Sequence, residues 1–162
     1  MASNDVTDCV KALISRGWSI AFAESASAGL LSYEFSIVPN SGQILLGSLV
    51  CYHECLKKSL LRIPPELIEI YTAESSQVTH AMATRLKEIV NADVCVALTG
   101  LTTPGGSESP EKPVGTIFIH MLFPGDETAS RFEFKGAPNE ILAESLSNIC
   151  QIIIQKCNEA QS

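Results

Sequence analysis

Apolar and polar residues alternate along the chain with two periods, one typical of helices and one typical of strands. Apolar residues recur every three or four positions between Val6 and Ile14, and Gly17 follows them. This spacing predicts a first helix over residues 4–16 that ends at the glycine. The next residues, 18–23, are mostly apolar and include β-forming types, so they predict a buried strand.

The same alternation continues to the end of the chain. It predicts further helices over residues 27–37, 53–61 and 138–157, a short helix that starts within residues 64–66, and another that starts at Ser75 or Ser76. Strands are predicted over residues 43–52, 92–98, 115–123 and 128–134, with residues 124–127 joining the last two as a hairpin. Residues 99–113 are rich in Gly, Pro, Ser and Thr and predict a loop.

Strands separated by helices, with one late hairpin, favour an α/β fold. We expect a three-layer α/β/α sandwich with a mixed, mostly parallel sheet and a late antiparallel hairpin. The nearly continuous apolar run at residues 92–98 is typical of a central strand that is covered on both faces. Since the pattern contains no internal repeat and no linker, residues 1–162 are expected to form a single domain, with its core at roughly 5–157.

Composition and charge argue against several classes of protein. The chain of 162 residues is 46% hydrophobic and 18% charged, as expected of a compact globular protein, and its formal net charge is −7. Because no cluster of Lys or Arg is present, nucleic acid is not expected as a partner. No apolar run approaches the roughly 20 residues of a membrane span, so no membrane partner is expected either.

The N-terminus and the cysteines bear on the cellular compartment. Residues 1–8 lack the basic and apolar segments of a signal peptide. The six cysteines are irregularly spaced and form no C-x-x-C pair of the kind that binds zinc. Cys9, Cys95 and Cys150 lie within apolar patterns, where a free thiol behaves as a small buried hydrophobe. A reducing, cytoplasmic location is therefore expected.

The strongest candidate for chemistry is the turn that follows the first predicted strand. The apolar run ends at Glu24 and Ser25, and small residues then lead into the next helix. The N-terminus of a helix presents backbone N–H groups that attract anions and developing negative charge. Ser25 is therefore a candidate nucleophile beside an oxyanion or phosphate cradle. The alternative is that Ser25 or Ser27 only caps the helix.

Three further segments place polar side chains in loops or at strand ends, namely residues 52–57, 99–106 and 112–116. Segments that follow parallel strands meet at the carboxyl edge of an α/β sheet, so they can converge on the turn at Ser25. No Ser-His-Asp arrangement is apparent. A lysine of lowered pKa can replace the histidine as general base, and Lys57 is the best candidate for that role.

Each of these candidates also has a plain structural interpretation. Lys57 can be an exposed lysine on a helix, and Tyr52 a strand-end aromatic whose hydroxyl faces water. The segment Thr99-Gly100 can be a tight exit from a buried strand, and Gly105-Gly106 a flexible loop. No metal site is expected, because no ligand spacing relates the three histidines, which are His53, His80 and His120.

Taken together, the four segments resemble the motifs of one known family. Residues 23–29, with the sequence A-E-S-A-S-A-G, are similar to A-E-S-C-T-G-G, and Tyr52 and Lys57 reproduce a tyrosine followed five residues later by a lysine. Residues 99–106 are similar to T-G-I-A-G-P followed by glycines, and K-P-V-G stands intact at residues 112–115. In this order and spacing, the chain resembles the CinA C-terminal domain family, whose characterised members are nicotinamide mononucleotide amidohydrolases.

The resemblance implies hydrolysis of the nicotinamide carboxamide to nicotinate mononucleotide and ammonia. Ser25 would be the nucleophile, Lys57 and Tyr52 would handle protons, and Thr99 would position that network or the substrate. Substrate contacts are expected from seven motif residues, namely Glu24, Ser27, Gly29, Gly100, Gly105, Gly106 and Lys112. The scheme needs no metal and no cofactor. The partner would be a small molecule, a pyridine mononucleotide or a related carboxamide, and the resemblance suggests a homo-oligomer.

The sequence departs from the family pattern at several positions. Ala28 stands where the family commonly has glycine, and it would be strained if the backbone there needs a positive φ. Thr103 replaces another glycine. The family usually has G-D-R before its last helix and another arginine soon after, whereas residues 136–142 contain no arginine, although Lys135 and Arg131 lie nearby. Because arginine is the preferred partner of a phosphate, the alternative is a catalytically impaired member that binds a ligand or a protein.

Overall fold

The computed structural model describes residues 3–159, which form six α-helices and five strands. The helices are α1 (Asn4–Arg16), α2 (Leu30–Ser36), α3 (Glu54–Ser59), α4 (Pro65–Tyr71), α5 (Ser76–Val90) and α6 (Pro138–Glu159). The strands are β1 (Ile20–Glu24), β2 (Leu45–Val50), β3 (Val94–Gly100), β4 (Thr116–Phe123) and β5 (Asp126–Glu133). Every predicted helix and strand is present, with boundaries that shift by a few residues.

The five strands lie in one sheet, in the spatial order β2-β1-β3-β4-β5. β1 pairs in parallel with both β2 and β3, whereas β4 pairs antiparallel with both β3 and β5. Four strands therefore point the same way and β4 runs against them. The predicted mixed sheet with a late antiparallel hairpin is confirmed.

Two hydrophobic cores lie on the two faces of this sheet, because alternate residues of a strand point to opposite sides. On one face, Phe22 and Val96 pack with α1, α2 and α6. On the other face, Ala23 and Ala97 pack with α4 and α5. The order helix, sheet, helix confirms the predicted three-layer sandwich.

Side-chain and glycine caps place the ends of the longer helices where the sequence predicts them. The Ser3 hydroxyl accepts a hydrogen bond from the Val6 N–H at the start of α1, and Gly17 ends that helix with a φ of 66°. The Ser75 hydroxyl accepts from the Val78 N–H in the same way, so α5 begins at the expected position.

Two boundaries beside the candidate site differ from the predicted ones. The helix predicted from residue 27 begins at Leu30, because Gly29 takes a left-handed φ of 100° and belongs to the turn. β3 continues to Gly100, two residues past its predicted end. Thr99 is therefore a buried strand residue and not part of the loop that follows.

The late hairpin is tighter than predicted. β5 begins at Asp126, which pairs with Phe123, so only Pro124 and Gly125 form the turn instead of four residues. Gly125 has a φ of 77°, as the residue after proline in a type II turn requires.

β2 and β5 form the two edges of the sheet and differ in character. β2 carries no charged residue, and its Leu46 and Val50 side chains are exposed. Four of the eight residues of β5 are charged, namely Asp126, Glu127, Arg131 and Glu133. No helix among residues 3–159 has both the length and the apolar character needed to cross a membrane.

Candidate active site

Ser25 and Lys57 meet at the carboxyl edge of the sheet. Ser25 is the first residue after β1, and Lys57 lies in α3, which follows β2. The Cys51 N–H donates to the carbonyl of Glu24 at 2.7 Å and fixes the chain after β2 against the end of β1. As a result, Lys57 Nζ lies 2.8 Å from Ser25 Oγ and 2.9 Å from the carbonyl oxygen of Cys51. The predicted convergence of these two segments is confirmed.

Lys57 is fully buried, so the interpretation of it as an exposed surface lysine is wrong. Burial disfavours the charged form and lowers the pKa of the Lys57 amine from its ordinary value. The negative charge of Glu74 opposes this effect most strongly and raises the same pKa. A lowered pKa increases the fraction of Lys57 that is neutral and able to accept a proton.

Glu24 fills the cradle that the sequence suggests is open to an anion. Its carboxylate is fully buried and accepts five hydrogen bonds of 2.8–3.0 Å, from the N–H groups of Gly29, Leu31 and Ser32 and the hydroxyls of Ser27 and Ser48. The expectation that these N–H groups are free for an oxyanion or a phosphate is therefore wrong. Glu24, Ser27 and Gly29, which were expected to contact substrate, bind one another and hold the turn in place.

The turn itself takes an unusual backbone path. Ala28 has a φ of 49° and Gly29 a φ of 100°. Both angles belong to the left-handed region, which costs a residue with a Cβ roughly 1–2 kcal/mol. Ala28 therefore occupies a position where glycine fits better, as its departure from the family motif suggests.

The backbone N–H directly after the serine is available. The Ser25 N–H donates to the carbonyl of Leu98 at 3.1 Å and so belongs to the sheet. The next residue, Ala26, lines the cavity beside Ser25, and within residues 3–159 its N–H has no hydrogen-bond partner. An unpaired N–H that directly follows a nucleophile, at a residue that lines a cavity, is suited to stabilise an oxyanion.

Two adjoining cavities open beside Ser25. The inner cavity has a volume of about 180 Å³ and is lined by Ser25, Ala26, Tyr52, Glu74 and residues 100–106. The outer cavity has a volume of about 600 Å³ and is lined by residues 52–54, Ile68, residues 72–74 and residues 105–107. The two share Tyr52, Glu74, Gly105 and Gly106, so they form one cleft.

Tyr52 lies at the surface of this site, whereas Thr99 is buried beneath it. Tyr52 is 64% exposed at the mouth of the cleft, and among the described residues its hydroxyl has no hydrogen-bond partner. Thr99 is fully buried, and its hydroxyl lies 2.8 Å from that of Thr79 in α5. Because Thr79 donates its own proton to the carbonyl of Ser75 at 2.6 Å, Thr99 is the donor between the two threonines. Neither Tyr52 nor Thr99 is hydrogen-bonded to Ser25 or Lys57.

The motif glycines line the cleft, and the local structure itself favours glycine at some of them. A Cβ on Gly100 would lie 2.7 Å from the carbonyl oxygen of Thr116 in the neighbouring strand, and one on Gly106 would lie 2.7 Å from the side chain of Leu101. Gly105 has a φ of 98°. Gly100 and Gly105 therefore need glycine whether or not a ligand approaches them, whereas the end of the Leu101 side chain can move aside for a Cβ at residue 106.

Lys112 lies outside both cavities and braces one side of the cleft. Its amine donates to Thr72 Oγ1 at 2.6 Å, to Ser107 Oγ at 2.7 Å and to the carbonyl of Glu74 at 2.9 Å. Ser107 in turn donates to the Glu74 carboxylate. The structure thus gives Lys112 a structural position behind the cleft and not the direct substrate contact that was expected.

The comparison with known proteins decides the family. A model of the CinA C-terminal domain family matches residues 3–157. The chain belongs to the CinA C-terminal domain family. A CinA-like protein of Prochlorococcus marinus (strain MIT 9312) is 40% identical over 143 residues, which are 87% of this chain and 34% of that protein. A CinA-like protein of Desulfotalea psychrophila is 36% identical over 143 residues, 88% of this chain and 34% of that protein. The chain spans about a third of the length of these curated relatives.

Solved structures of CinA superfamily proteins share the fold. The protein from Klebsiella pneumoniae 700603 superposes with a TM-score of 0.89 and 24% identity, over 97% of this chain and 99% of that one. The protein from Enterobacter cloacae superposes with a TM-score of 0.86 and 27% identity, over 94% and 92% of the two chains. Both agree with the three-layer architecture of this CinA family member.

The two basic residues near the missing arginines do not reach the cleft. Arg131 donates to the carbonyl of Glu111 at 2.6 Å and pairs with Glu133. Lys135 is exposed, and neither residue lines the inner or the outer cavity. In this CinA family member the arginines are therefore not replaced by Arg131 or Lys135.

Three features of the site escaped the sequence analysis, namely the carboxylate of Glu74, the Thr79 hydroxyl and the backbone N–H of Ala26. Glu74 lies in a short polar stretch before α5 that resembles an ordinary helix start, and Thr79 lies within a helical pattern. A free backbone N–H cannot be predicted from residue type. Only the position of Ala26 directly after the candidate nucleophile could have suggested it.

Proposed function

We propose that this CinA family member is an amidohydrolase in which Ser25 attacks a carboxamide and Lys57 moves the protons. The observation that carries the proposal is the 2.8 Å contact between the Ser25 hydroxyl and the amine of a fully buried lysine. A serine hydroxyl is a weak nucleophile unless a nearby base removes its proton. A buried lysine with a lowered pKa supplies that base without a histidine.

In the first step, Ser25 Oγ forms a bond to the carboxamide carbon and its proton passes to the neutral amine of Lys57. The carboxamide oxygen takes the electron pair of the C=O bond and becomes an oxyanion, for which the N–H of Ala26 in the cavity lining would be the donor. Lys57 then gives the proton to the amide nitrogen, the C–N bond breaks, and ammonia leaves. An ester between the acyl group and Ser25 remains.

In the second step, water replaces ammonia and the same groups act in reverse. Lys57, neutral again, accepts a proton from water as the oxygen attacks the ester carbon. The bond to Ser25 breaks, and Lys57 returns the proton to Ser25 Oγ. The products are a carboxylic acid and free enzyme. The hydrogen bond from Lys57 to the Cys51 carbonyl keeps the amine directed at Ser25 through both steps.

The sizes of the two cavities support a substrate with a small ring at one end. The inner cavity, at about 180 Å³, is smaller than the roughly 300 Å³ at which ligand pockets usually begin, so it suits one ring with its carboxamide. The outer cavity, at about 600 Å³, leaves room for a sugar and its phosphate.

The charges around the cleft favour a cationic ring. Tyr52 and Glu74 line both cavities, and an aromatic face and a carboxylate both attract a cation such as a pyridinium. No lysine or arginine of residues 3–159 lines either cavity, so a phosphate would depend on His53 and on backbone groups. The reaction proposed is hydrolysis of nicotinamide mononucleotide, or a related pyridinium carboxamide, to the carboxylate and ammonia.

A protein that binds such a ligand without turnover is the second candidate. It is favoured by the left-handed φ of 49° at Ala28, three residues after Ser25, and by the absence of arginines from the cleft lining. Strain in that turn can displace the serine from the position that attack requires.

The proposal is tested by measuring ammonia release from nicotinamide mononucleotide, nicotinamide riboside and nicotinamide. We expect turnover by the wild type and a loss of about 10³-fold or more in Ser25→Ala. Ser36→Ala, a change at an exposed serine of α2, is the matched control and should keep full activity.

Two outcomes contradict the amidohydrolase. One is turnover that survives Ser25→Ala, because the serine would then not be the nucleophile. The other is a wild-type protein that folds normally, as judged by circular dichroism, and releases no ammonia from any of the three compounds. Saturable binding of nicotinamide mononucleotide by calorimetry in that second case would establish the ligand-binding candidate.

A further inference from the structure

Two histidines and a glutamate that are far apart in sequence meet on the face of the sheet covered by α5. His80 lies in α5, His120 in β4 and Glu127 in β5. His120 Nε2 lies 3.0 Å from Glu127 Oε2, and His80 Nε2 lies 3.9 Å from the same oxygen. One ligand atom from each residue falls within 4.8 Å of the other two. None of the three lines the inner or the outer cavity.

The pairing register of β4 and β5 explains why these residues lie together. Leu122 pairs with Glu127 across the hairpin, and His120 lies two residues before Leu122, so His120 and Glu127 are diagonal neighbours on one face of the sheet. Helix α5 packs against β4 and β5 on that face and brings His80 over the pair. The two imidazole rings meet edge to face, with their centroids 4.6 Å apart.

We propose that His80, His120 and Glu127 form a binding site for a divalent transition-metal ion of the zinc class. Two imidazole nitrogens and one carboxylate oxygen are a donor set that zinc accepts, with a fourth position left for water. The tight hairpin at Pro124-Gly125 fixes Glu127 only two residues from the turn, so the carboxylate is held near the rings.

The distances agree with a tetrahedral ion. With bonds of about 2.0–2.2 Å, the ligand atoms of a tetrahedral zinc site lie roughly 3.4 Å apart. The separations of the two histidine nitrogens from Glu127 Oε2, 3.0 and 3.9 Å, lie on either side of that value, and the two histidines offer nitrogens no more than 4.8 Å apart, which a bound ion would draw closer together. The side chains of His80 and Glu127, which are 54% and 59% exposed, have more room to adjust to an ion than buried His120.

A bound ion would tie α5 to the hairpin of β4 and β5. The residue before His80 is Thr79, which accepts the hydrogen bond from Thr99 beside the cleft. The ion would therefore fix the position of the helix that supports one side of the candidate active site. It would not take part in the chemistry at Ser25, because its ligands do not reach the cavities.

The test is a titration of the untagged protein with Co²⁺, followed by displacement with Zn²⁺. Cys55 is exposed and lies two residues from His53, so this pair offers a competing site. A Cys55→Ser background removes that thiol. We expect one Co²⁺ per chain, with visible absorption bands typical of four-coordinate nitrogen and oxygen ligation and no thiolate charge-transfer band. Stoichiometric Zn²⁺ should abolish the bands.

The variants separate this site from the alternatives. In the same background, His80→Ala and Glu127→Gln should each weaken Co²⁺ binding by more than about 100-fold, since removal of a ligand costs more than loss of a group that only supports one. Both changes are at exposed side chains, so the fold should survive them. His53→Ala is the matched control and should leave binding unchanged.

Three results would overturn the proposal. They are the absence of saturable Co²⁺ binding in the Cys55→Ser protein, equal affinities with and without His80→Ala in that background, and loss of binding in His53→Ala. The first would leave His120 and Glu127 as an ordinary hydrogen-bonded pair. The third would move the ion to the loop after β2.

Discussion

Each side of the cleft has one glutamate and one lysine, but the two sides hold these residues in different ways. We call Glu24, Ser25 and Lys57 the serine wall, and Glu74, Ser107 and Lys112 the loop wall. In the serine wall the carboxylate and the amine are kept apart, and each is held by neutral groups. In the loop wall a serine hydroxyl bridges the two, since it accepts from the lysine and donates to the glutamate.

This difference determines which lysine can give up its proton. Burial lowers the pKa of both amines, and Glu74 raises both. Lys112 directs three N–H bonds at three oxygens, and this arrangement requires the ammonium form. Lys57 has two partners, and one of them is a hydroxyl that can donate as well as accept. The number and kind of hydrogen-bond partners, more than burial, therefore distinguish Lys57, which can exchange a proton, from Lys112, which has a structural role.

Replacement of Lys57 by methionine is expected to have the largest effect. Lys57→Met keeps the length and burial of the side chain but removes the base, so kcat/KM for the carboxamide should fall by about 10³-fold. The fold should be retained, because the apolar side chain avoids the cost of burying a charge. Steady-state ammonia release and a thermal melt measure the two quantities.

Lys112→Met is the matched change in the loop wall. It should raise KM while leaving kcat within about tenfold of wild type, because it loosens the cleft without touching the proton transfer. Equal losses of kcat in Lys57→Met and Lys112→Met would contradict the assignment of proton transfer to the serine wall alone.

The second largest effect is expected from Glu24→Gln. The amide of glutamine cannot accept all five hydrogen bonds that the carboxylate receives. Its NH₂ group would replace one carboxylate oxygen and would itself be a donor that faces other donors. We expect a loss of about 2–4 kcal/mol in the free energy of unfolding, measured by denaturant titration. Glu69→Gln, at an exposed residue of α4, is the control and should change stability by no more than about 0.5 kcal/mol. A stable Glu24→Gln protein would mean that the turn does not depend on the charge.

The pH dependence of activity provides a finer test. Because the neutral amine of Lys57 is the base, kcat/KM should rise with pH through the pKa of Lys57, which lies below its ordinary value. Glu74 raises that pKa, so Glu74→Gln should lower it and move the rising limb of the profile to lower pH. Glu69→Gln again serves as the control. A limb that moves to higher pH, or does not move, would show that Lys57 is not the titrating base.

The smallest expected effect is that of Ala28→Gly. Glycine relieves the strain of a left-handed φ but loses more conformational entropy on folding, so we expect a gain of about 0.5–1 kcal/mol in stability and a rise of roughly 2 °C in Tm. Ala26→Gly, at a residue without a positive φ, should destabilise instead. If Ala28→Gly also raises kcat, strain in the turn that follows Ser25 limits turnover. Unchanged kcat would mean that the strain affects stability alone.

The sequence predicts the fold well because the governing signals are local. Apolar periods define the strands and helices, and caps such as Ser75 and Gly17 define the ends. The pairing of Ser25 with Lys57 follows from segments that come after neighbouring parallel strands. Lys57 is the best candidate base from the sequence itself, and the family motif agrees with that choice.

The rest depends on contacts between distant residues. A glutamate before a serine gives no indication that its carboxylate will turn back to fill the start of α2, so the cradle at Glu24 was misinterpreted. His80 and His120 are forty positions apart, and only the register of the hairpin and the packing of α5 bring them together. Lys112 lies in an intact motif, which indicates that it matters but not which of its possible partners it binds.

The edge strand β2 links the turn at Ser25 to the outer boundary of the sheet. Charged side chains along β5 discourage a further strand on that side, whereas β2 offers no such protection. Ser48 belongs to β2 and donates to Glu24. A strand that paired with this edge would lie beside Ser48, whose hydroxyl donates to the Glu24 carboxylate in the turn. Assembly through β2 would therefore involve the strand that helps to hold Glu24, from outside the cleft.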